Sequence, residues 1–362
     1  MSKEKVFLSA SRIKVVDQCG WVYWCKYKLK LPDRSNDGAS RGTICHAIFE
    51  CLGNPRHKKH YDLIVNSKSS FASPSVARMI SIYAKKLSVN DPENLDLIDE
   101  MTVNGLLYDF FGRTEDDELE EYSEKSFSIS VDEGDRKYNI RGFIDKLFLY
   151  KNKSSALIRD FKSSKAVFKG KEITDNLQDL MYCLAVKHLY PDFLKRTSEF
   201  VFLRFDLSND LLGKLGKGIV RMEDISDEEL LGFEYQLTEI QAFLEDFDES
   251  NAMSNFAAEK SFPSDGTFGG PLMCGKDGFK KSRGEYVLDK NGDKIKSYIC
   301  QYRKPFEYYA LLNKSGKVVK TCFEDEVQDL DYEESEGFKL ELRSYGGCAY
   351  WNAKKNLADD FL

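Results

Sequence analysis

Residues 136–182 constrain the fold more than any other stretch, because they contain two β-rich runs separated by a short polar segment. The runs Arg136–Tyr150 and Ser155–Lys162 flank the tetrapeptide KNKS at 151–154. Two such runs joined by four polar residues are typical of a β-hairpin with a short loop. The sequence therefore predicts two antiparallel neighbouring strands here.

The predicted hairpin brings acidic side chains together. If Tyr150 and Ser155 close the loop, Asp145 lies opposite Asp160, with β-carbons about 4.5–5.5 Å apart. Two carboxylates at that distance either raise the pKa of one of them or share a cation. Lys162 lies two residues beyond Asp160 and therefore on the same strand face. Such a cluster suits metal-assisted hydrolysis of a phosphodiester, although an isolated Asp-x-Lys pattern also occurs on ordinary exposed strands.

Further polar residues recur at helical spacing on either side of the hairpin. Gln178 and Tyr182 are four residues apart, so they share one face of the helix predicted there. His46 and Glu50 have the same spacing in a helix predicted over residues 40–52. A single histidine on a helix is most often a hydrogen-bonded structural residue. His46 becomes a ligand candidate only in a wider context.

Together these stretches resemble the core of the PD-(D/E)XK nuclease superfamily, in particular its RecB-like and AddB-like exonuclease branch, with CRISPR-adaptation exonucleases among its members. The resemblance covers five blocks in the family's order over residues 8–182. The blocks are Leu8-Ser9-Ala10-Ser11-Arg12-Ile13 with Cys19 and Tyr27-Lys28-Leu29-Lys30-Leu31, Arg41-Gly42-x-x-x-His46-x-x-x-Glu50, Arg141-Gly142-Phe143-Ile144-Asp145, Asp160-Phe161-Lys162 and Gln178-x-x-x-Tyr182. The rest of the chain, about half, matches only weakly.

The resemblance implies an α/β, restriction-endonuclease-like fold with a central mixed sheet flanked by helices. The expected nuclease core spans residues 1–260, opens with a helix over 9–31 and carries a helical insertion at about 55–125. A C-terminal subdomain, 261–362, is expected to contain cysteines and β-hairpins with turns at 289–292 and 313–316.

The resemblance also implies roles for individual residues. The implied ligands of a Mg²⁺ or Mn²⁺ ion are His46, Asp145, Asp160 and the backbone carbonyl of Phe161, with Glu50 as a candidate addition. The implied catalytic residues are Asp145, Asp160, Lys162, Gln178 and Tyr182. The candidate contacts to nucleic-acid phosphates are Arg12, Arg41 and Lys165. Lys162 would orient the attacking water or stabilise charge on the phosphoryl oxygens.

Charge and composition limit where such a protein works. The net charge is −7, so any DNA-binding surface has to be a local groove rather than an overall basic field. The N-terminus lacks the apolar run of a signal peptide, and no stretch has the apolar length of a membrane span. The nine cysteines are an odd number, which favours reduced thiols in an intracellular, cytoplasmic protein over a secreted disulfide framework.

The cysteines allow two interpretations. Relatives often hold an iron–sulfur cluster, [4Fe–4S], with one cysteine near the N-terminus and three in a short C-terminal run. Cys19 fits the first position, but the run after Cys274 has other residues where cysteines would fall. Either an expanded iron–sulfur or zinc site is formed by Cys19, Cys274, Cys300 and Cys348, or these residues are buried thiols.

The sequence thus predicts a metal-dependent deoxyribonuclease, a sequence-independent exonuclease on DNA ends that prefers single strands and works in DNA repair, recombination or replication. Two rival hypotheses are a catalytically silent DNA-binding module of the same fold and a structural protein whose acidic hairpin binds a stabilising ion. The tail 356–362 is either a frayed terminus or a docking segment for a sliding clamp or single-strand binding protein. A helicase is a further candidate partner.

Overall fold

The computed structural model describes residues 5–112, 118–207, 216–257, 288, 300–333 and 337–352. The chain divides into two compact units: the first comprises Met1–Ala10 and Ser35–Glu245, and the second comprises Ser11–Arg34 and Asp246–Leu362. The predicted domain boundary at residue 260 stays a prediction. The units differ from it because residues 11–34 pack with C-terminal elements of the second unit.

The first unit is built on a mixed sheet of five strands in the order β1-β2-β3-β4-β5. The strands are β1 (Leu119–Glu133), β2 (Arg136–Tyr150), β3 (Ser155–Lys162), β4 (Lys195–Phe202) and β5 (Ile219–Arg221). Neighbours are antiparallel except β3 and β4, which are parallel. The predicted mixed α/β fold with a central sheet is confirmed.

The predicted β2–β3 hairpin has the register that the sequence indicates. Tyr150 pairs with Ser155, and the ladder continues to Lys146 opposite Arg159. Ser154 closes the loop in the left-handed region, with φ 44°. Asp145 and Asp160 are the residues immediately beyond the last pair of the ladder, so they lie where the two strands begin to separate.

Helices of the first unit flank this sheet, and five of the ten described α-helices begin at a side-chain cap. The α-helices of the described chain are α1 (Ala10–Gln18), α2 (Gly20–Tyr23), α3 (Asp37–Leu52), α4 (Lys58–Ser67), α5 (Pro74–Lys86), α6 (Pro92–Leu107), α7 (Lys171–Thr174), α8 (Leu177–Leu189), α9 (Asp227–Glu245) and α10 (Glu249–Met253). Asn36 caps α3, Ser73 caps α5, and Asp91 caps α6, each accepting a backbone N–H of the first turn. Among the described helices, none is both long and apolar enough to cross a bilayer.

Helix α3 packs between the sheet and helices α4, α5 and α6, which form the helical insertion. Its buried residues Ile44, Ile48 and Phe49 belong to one hydrophobic cluster with Met101 of α6 and Phe161 of β3. The Phe49 and Phe161 ring centres are 4.5 Å apart, a distance at which aromatic pairs attract beyond their buried area. This packing holds the orientation of α3, and with it the position of His46.

Gly105 allows α6 to approach this cluster closely. A β-carbon at this position would lie 2.4 Å from Phe49 Cζ and 2.9 Å from Leu203 Cδ2, both of them buried. We expect Gly105→Ala to lower the free energy of unfolding by about 1–3 kcal/mol, because the packed ring cannot move away freely. Urea denaturation followed by circular dichroism measures the change.

Gly232 of α9 provides a matched control for that substitution. A β-carbon there would meet nothing within 4 Å, so Gly232→Ala should stabilise the protein by about 0.5–1 kcal/mol through the unfolded state and helix propensity. Effects of the same sign at both positions would contradict the close packing of α6.

The second unit contains a three-stranded antiparallel sheet in the order β7-β6-β8. Its strands are β6 (Phe306–Leu312), β7 (Val318–Cys322) and β8 (Lys339–Tyr345). The predicted turn at 313–316 joins β6 to β7, with Gly316 at φ 74°. The other predicted turn, at 289–292, lies outside the described residues.

The N-terminal helices of this unit pack directly against its C-terminal elements. The single helix expected over 9–31 is wrong, because Cys19 is extended (φ −160°, ψ 110°) and separates α1 from α2. A π-helical turn, Trp24–Lys28, follows α2. Trp21 Nε1 donates to Tyr345 Oη at 2.8 Å, and this buried bond fastens α2 to the end of β8.

Candidate active site

Three ligand-type side chains from three elements meet at the open end of the hairpin. His46 Nδ1 of α3 lies 3.5 Å from Glu124 Oε1 of β1 and 3.4 Å from Asp145 Oδ1 of β2. One ligand atom of each residue lies within 4.8 Å of the other two, and no other such group of histidine, cysteine or carboxylate ligands occurs in the described part of the chain. One imidazole and two carboxylates suit a hard or borderline divalent cation.

Glu124 is the member of this group that the sequence prediction missed. It lies opposite Asp145, between the pairs Ser123–Lys146 and Lys125–Ile144 of the β1–β2 ladder. Its φ of 47° is in the left-handed region, which costs a non-glycine residue about 1–3 kcal/mol and is commonest at functional sites. The two-residue Gly134-Asp135 turn was the available signal, because the register argument used for β2 and β3 would have placed Glu124 opposite Asp145.

Electrostatics show that this group has an excess of negative charge. Burial, together with the charge of Asp160, raises the pKa of Asp145 to about 8. Burial opposes the charged imidazolium of His46, but its hydrogen bond to Glu124 and the charges of Asp145 and Asp160 outweigh burial and raise the pKa of His46 to about 9. Retained protons partly neutralise these carboxylates. A bound cation would do so more completely, so the donor set fits the divalent ion that the resemblance implies.

A second network adjoins the first and is centred on Asp160. Lys162 Nζ is 2.7 Å from Asp160 Oδ2 and donates to Gln178 Oε1 at 2.6 Å. Gln178 Nε2 and Tyr182 Oη donate to Asp160 Oδ1 at 2.6 and 3.2 Å. Asn176 begins α8 by accepting the backbone N–H of Gln178, which directs Gln178 toward β3. Oδ1 of Asp160 thus accepts two hydrogen bonds, whereas its buried Oδ2 has the ion pair with Lys162 but accepts no hydrogen bond.

Phe161 connects the two networks through its backbone. Its N–H donates to Asp145 Oδ2 at 2.7 Å, so that Asp145 presents Oδ1 to His46. The structure thus brings together His46, Asp145, Asp160 and Lys162, with Gln178 and Tyr182 beside them. The assignment of the Phe161 carbonyl as a metal ligand stays a prediction.

The other predicted site residues have different surroundings. Glu50 is exposed one helical turn beyond His46 and is not part of the ligand group. Arg41 is only 6% exposed and donates to Asn94, so its guanidinium ties α3 to α6 within the interior. Lys165 is exposed. Arg12 belongs to the second unit, where its guanidinium stacks on a tyrosine ring.

Three of the four predicted cysteine ligands lie near a cysteine that the prediction omitted. Burial raises the pKa of Cys25 to about 12, and the neighbouring thiols of Cys300, Cys348 and Cys19 contribute to the increase. In the described part of the chain, no three cysteine sulfurs lie within 4.8 Å of one another. Cys274 lies outside the described residues. The described thiols are thus close neighbours in the second unit but are more widely spaced than the ligand atoms of the first.

A comparison with protein families agrees with this geometry. A sequence model of the PD-(D/E)XK nuclease superfamily matches residues 7–274, which is most of the chain. One similar solved structure is titled "Crystal structure of SSO0001"; it is 16% identical, with 52% of this chain and 77% of that chain covered and a TM-score of 0.25. No curated protein matches the chain.

Proposed function

Because this chain belongs to the PD-(D/E)XK nuclease superfamily, we propose that it is a metal-dependent deoxyribonuclease that removes nucleotides from DNA ends without sequence preference and favours single strands. The observation that carries the proposal is the group of His46, Glu124 and Asp145 beside the Asp160–Lys162 pair. Metal ligands and a lysine at one end of a sheet combine the two elements that phosphodiester hydrolysis requires.

The metal in this proposal is Mg²⁺ or Mn²⁺, held by His46, Glu124 and Asp145. Oxygen ligands suit Mg²⁺, and an imidazole makes Mn²⁺ well tolerated. A divalent ion supplies a Lewis acid for the scissile phosphate and lowers the pKa of a bound water. Asp160, predicted as a further ligand, lies near enough for its charge to act on His46 and Asp145.

The side chains of the protein supply position and charge. Lys162 Nζ, held between Asp160 Oδ2 and Gln178 Oε1, provides a fixed positive charge for the non-bridging phosphoryl oxygens as negative charge develops on them. Gln178 and Tyr182 act as positioning residues, because their hydrogen bonds fix Asp160 and, through it, Lys162. Water adds to phosphorus and the bond to the bridging oxygen breaks, which leaves a phosphate monoester and a hydroxyl.

We extend the proposal to partners and compartment. A reducing cytoplasm fits the odd number of cysteines, and DNA repair, recombination or replication would supply free DNA ends. Docking of residues 356–362 on a sliding clamp or a single-strand binding protein, and assistance by a helicase, stay proposals, because that tail lies outside the described residues.

An iron–sulfur or zinc site with Cys19, Cys274, Cys300 and Cys348 also stays a proposal. Cys25 lies among three of these residues, and the spacing of the described thiols does not itself define a metal site. Iron, zinc and visible absorption measured on anaerobically purified protein test the proposal. A colourless, metal-free protein of full stability would exclude the cluster.

Labelled oligonucleotides test the nuclease function. We expect single-stranded 5′- or 3′-labelled DNA to be degraded stepwise from one end in Mg²⁺ or Mn²⁺ and to stay intact in EDTA. A blunt duplex of the same sequence should be degraded more slowly, and the two label positions reveal the polarity. Binding of DNA without cleavage in any metal would instead favour the catalytically silent module.

A further inference from the structure

The face of β1 and β2 near the site carries an exposed aromatic ring. Phe143 lies two residues before Asp145 on β2 and is 61% exposed, whereas Ile140 and Ile144 of the same strand are fully buried. The residue opposite Phe143 on β1 is Ser126, whose short side chain leaves the ring accessible. One exposed apolar residue is ordinary on a protein surface. The exposure of Phe143 therefore indicates a function only together with the residues around it.

Positive charges and a second ring lie near Phe143, on β2 and on the N-terminal segment that pairs with β2 at Leu8. Arg141 is exposed and lies two residues further along the strand, with its guanidinium carbon 5.5 Å from the ring centre of Phe7. Lys5 Nζ lies 5.2 Å from the same ring and donates to Ser130 at 2.9 Å. We call Lys5, Phe7, Arg141 and Phe143 the β2 strip. It alternates cations and aromatic rings, and Phe143 lies two residues before the candidate ligand Asp145 on β2.

This alternation is the chemistry that binds single-stranded nucleic acid. Bases stack on aromatic side chains, while lysine and arginine pair with the phosphates between them. A base in a duplex is already stacked and paired, so it reaches such a ring only after it is unpaired. The separation of Phe143 from Asp145 is also suitable. Two residues along a strand span about 7 Å, which is the length of about two nucleotides at the ~3.4 Å spacing of stacked DNA.

We propose that the β2 strip is the track for the single-stranded part of the substrate, and that Phe143 is the platform on which a base close to the scissile phosphate stacks. The proposal rests on the proposed nuclease function and adds to it a residue that determines strand specificity. The net charge of the whole chain is negative, so attraction for the DNA backbone has to be local. The cations of this strip provide it.

Binding without cleavage tests the role of Phe143. Fluorescein-labelled single-stranded and blunt duplex oligonucleotides of one sequence are titrated in EDTA at one fixed salt concentration. We expect Phe143→Ala to raise the Kd for the single strand about tenfold and to leave the Kd for the duplex within about twofold. Phe143→Trp should restore binding, whereas Phe143→Leu, which is apolar but has no π-face, should not.

Two further variants complete the experiment. Arg141→Ala should weaken binding of the single strand and lower the slope of log Kd against log salt by about one. Phe243→Ala is the matched control, because Phe243 is 47% exposed on α9, which packs against β2 but does not contribute to the strip. Phe243→Ala should bind both DNAs as the unaltered protein does.

The outcomes separate this inference from the proposed function. If the unaltered protein degrades DNA and Phe143→Ala binds the single strand equally well, the stacking platform is wrong and the nuclease function stands. An equal loss of affinity for single strand and duplex would also overturn it. If the unaltered protein neither binds nor cleaves DNA with Mn²⁺ present, the proposed function itself fails. Cleavage kinetics give a second readout, since Phe143→Ala should raise KM and leave kcat nearly unchanged.

Discussion

Asp145→Asn is expected to lower metal-dependent cleavage about 10³-fold without weakening the metal-free fold. Asparagine can still accept the N–H of Phe161, which now donates to Asp145 Oδ2. It removes a charge that burial and Asp160 disfavour. In EDTA the variant should therefore melt at the same temperature as the unaltered protein or higher. The increase in Tm that Mn²⁺ gives the unaltered protein should be lost, because that increase depends on binding to the folded state.

Variants of two other glutamates, Glu124 and Glu50, test whether the effect is specific to the proposed metal ligands. Glu124→Gln should raise the Mn²⁺ concentration for half-maximal cleavage about 10- to 100-fold, since Glu124 lies in the same group as His46. Glu50→Gln is the control, because Glu50 is exposed on α3, the helix of His46, and is not part of the ligand group of His46, Glu124 and Asp145. Cleavage by Asp145→Asn at the normal rate, or an equal loss in Glu50→Gln, would show that the metal site is misplaced.

The same variant changes how the stability of the metal-free protein depends on pH. The pKa of Asp145 is raised to about 8 in the folded state, so its stabilising contribution is present below about pH 4 and is lost as the pH rises through about 8. His46, with its pKa raised to about 9, acts in the same direction at higher pH. In urea titrations in EDTA, the free energy of unfolding of Asp145→Asn should therefore increase relative to that of the unaltered protein between pH 5 and 8. A constant difference would contradict the burial of that charge.

Glu199→Ala is expected to have the largest effect on stability, a loss of about 3–5 kcal/mol. Glu199 is fully buried, and its carboxylate accepts hydrogen bonds from Arg159 Nε at 3.0 Å and Arg221 at 2.6 Å. Burial alone would raise its pKa, but these two guanidinium groups outweigh burial and lower it. Removal of the carboxylate leaves Arg159, which is 1% exposed, without its main counter-charge.

Urea denaturation with two further variants tests that explanation. Glu199→Gln keeps hydrogen-bond acceptance and should be less destabilising than Glu199→Ala. The double variant Arg159→Met with Glu199→Leu removes both charges and should recover most of the loss. If Glu199→Ala stays within about 1 kcal/mol of the unaltered protein, the buried ion pair does not contribute as described.

Local features of this chain were predictable because the information is local. Alternation and a four-residue loop fix the register of β2 and β3, and helical spacing places Gln178 and Tyr182 on one face. The position of Glu124 also depends on a register. However, Glu124 has a left-handed backbone conformation within its strand, and the residue preferences of glutamate do not indicate that conformation.

The second unit could not be predicted in the same way. Its N-terminal helices find their partners in the C-terminal part, and no periodicity encodes a contact over that separation. Cys25 illustrates the problem, since only the folded chain shows that it neighbours Cys300 and Cys348. Arg41 illustrates the converse, because its predicted DNA contact rests on a motif position, whereas its burial and its hydrogen bond to Asn94 are visible only in the folded chain.

The bond between Trp21 and Tyr345 joins residues 324 positions apart, which has a consequence for biosynthesis. At about 5–20 residues per second, a ribosome needs roughly a quarter of a minute to a minute to extend the chain from one partner to the other. The nuclease sheet is complete well before then. The indole of Trp21, by contrast, stays without its partner Tyr345 until the chain is nearly complete. We expect a chaperone to shield this apolar side chain during that time.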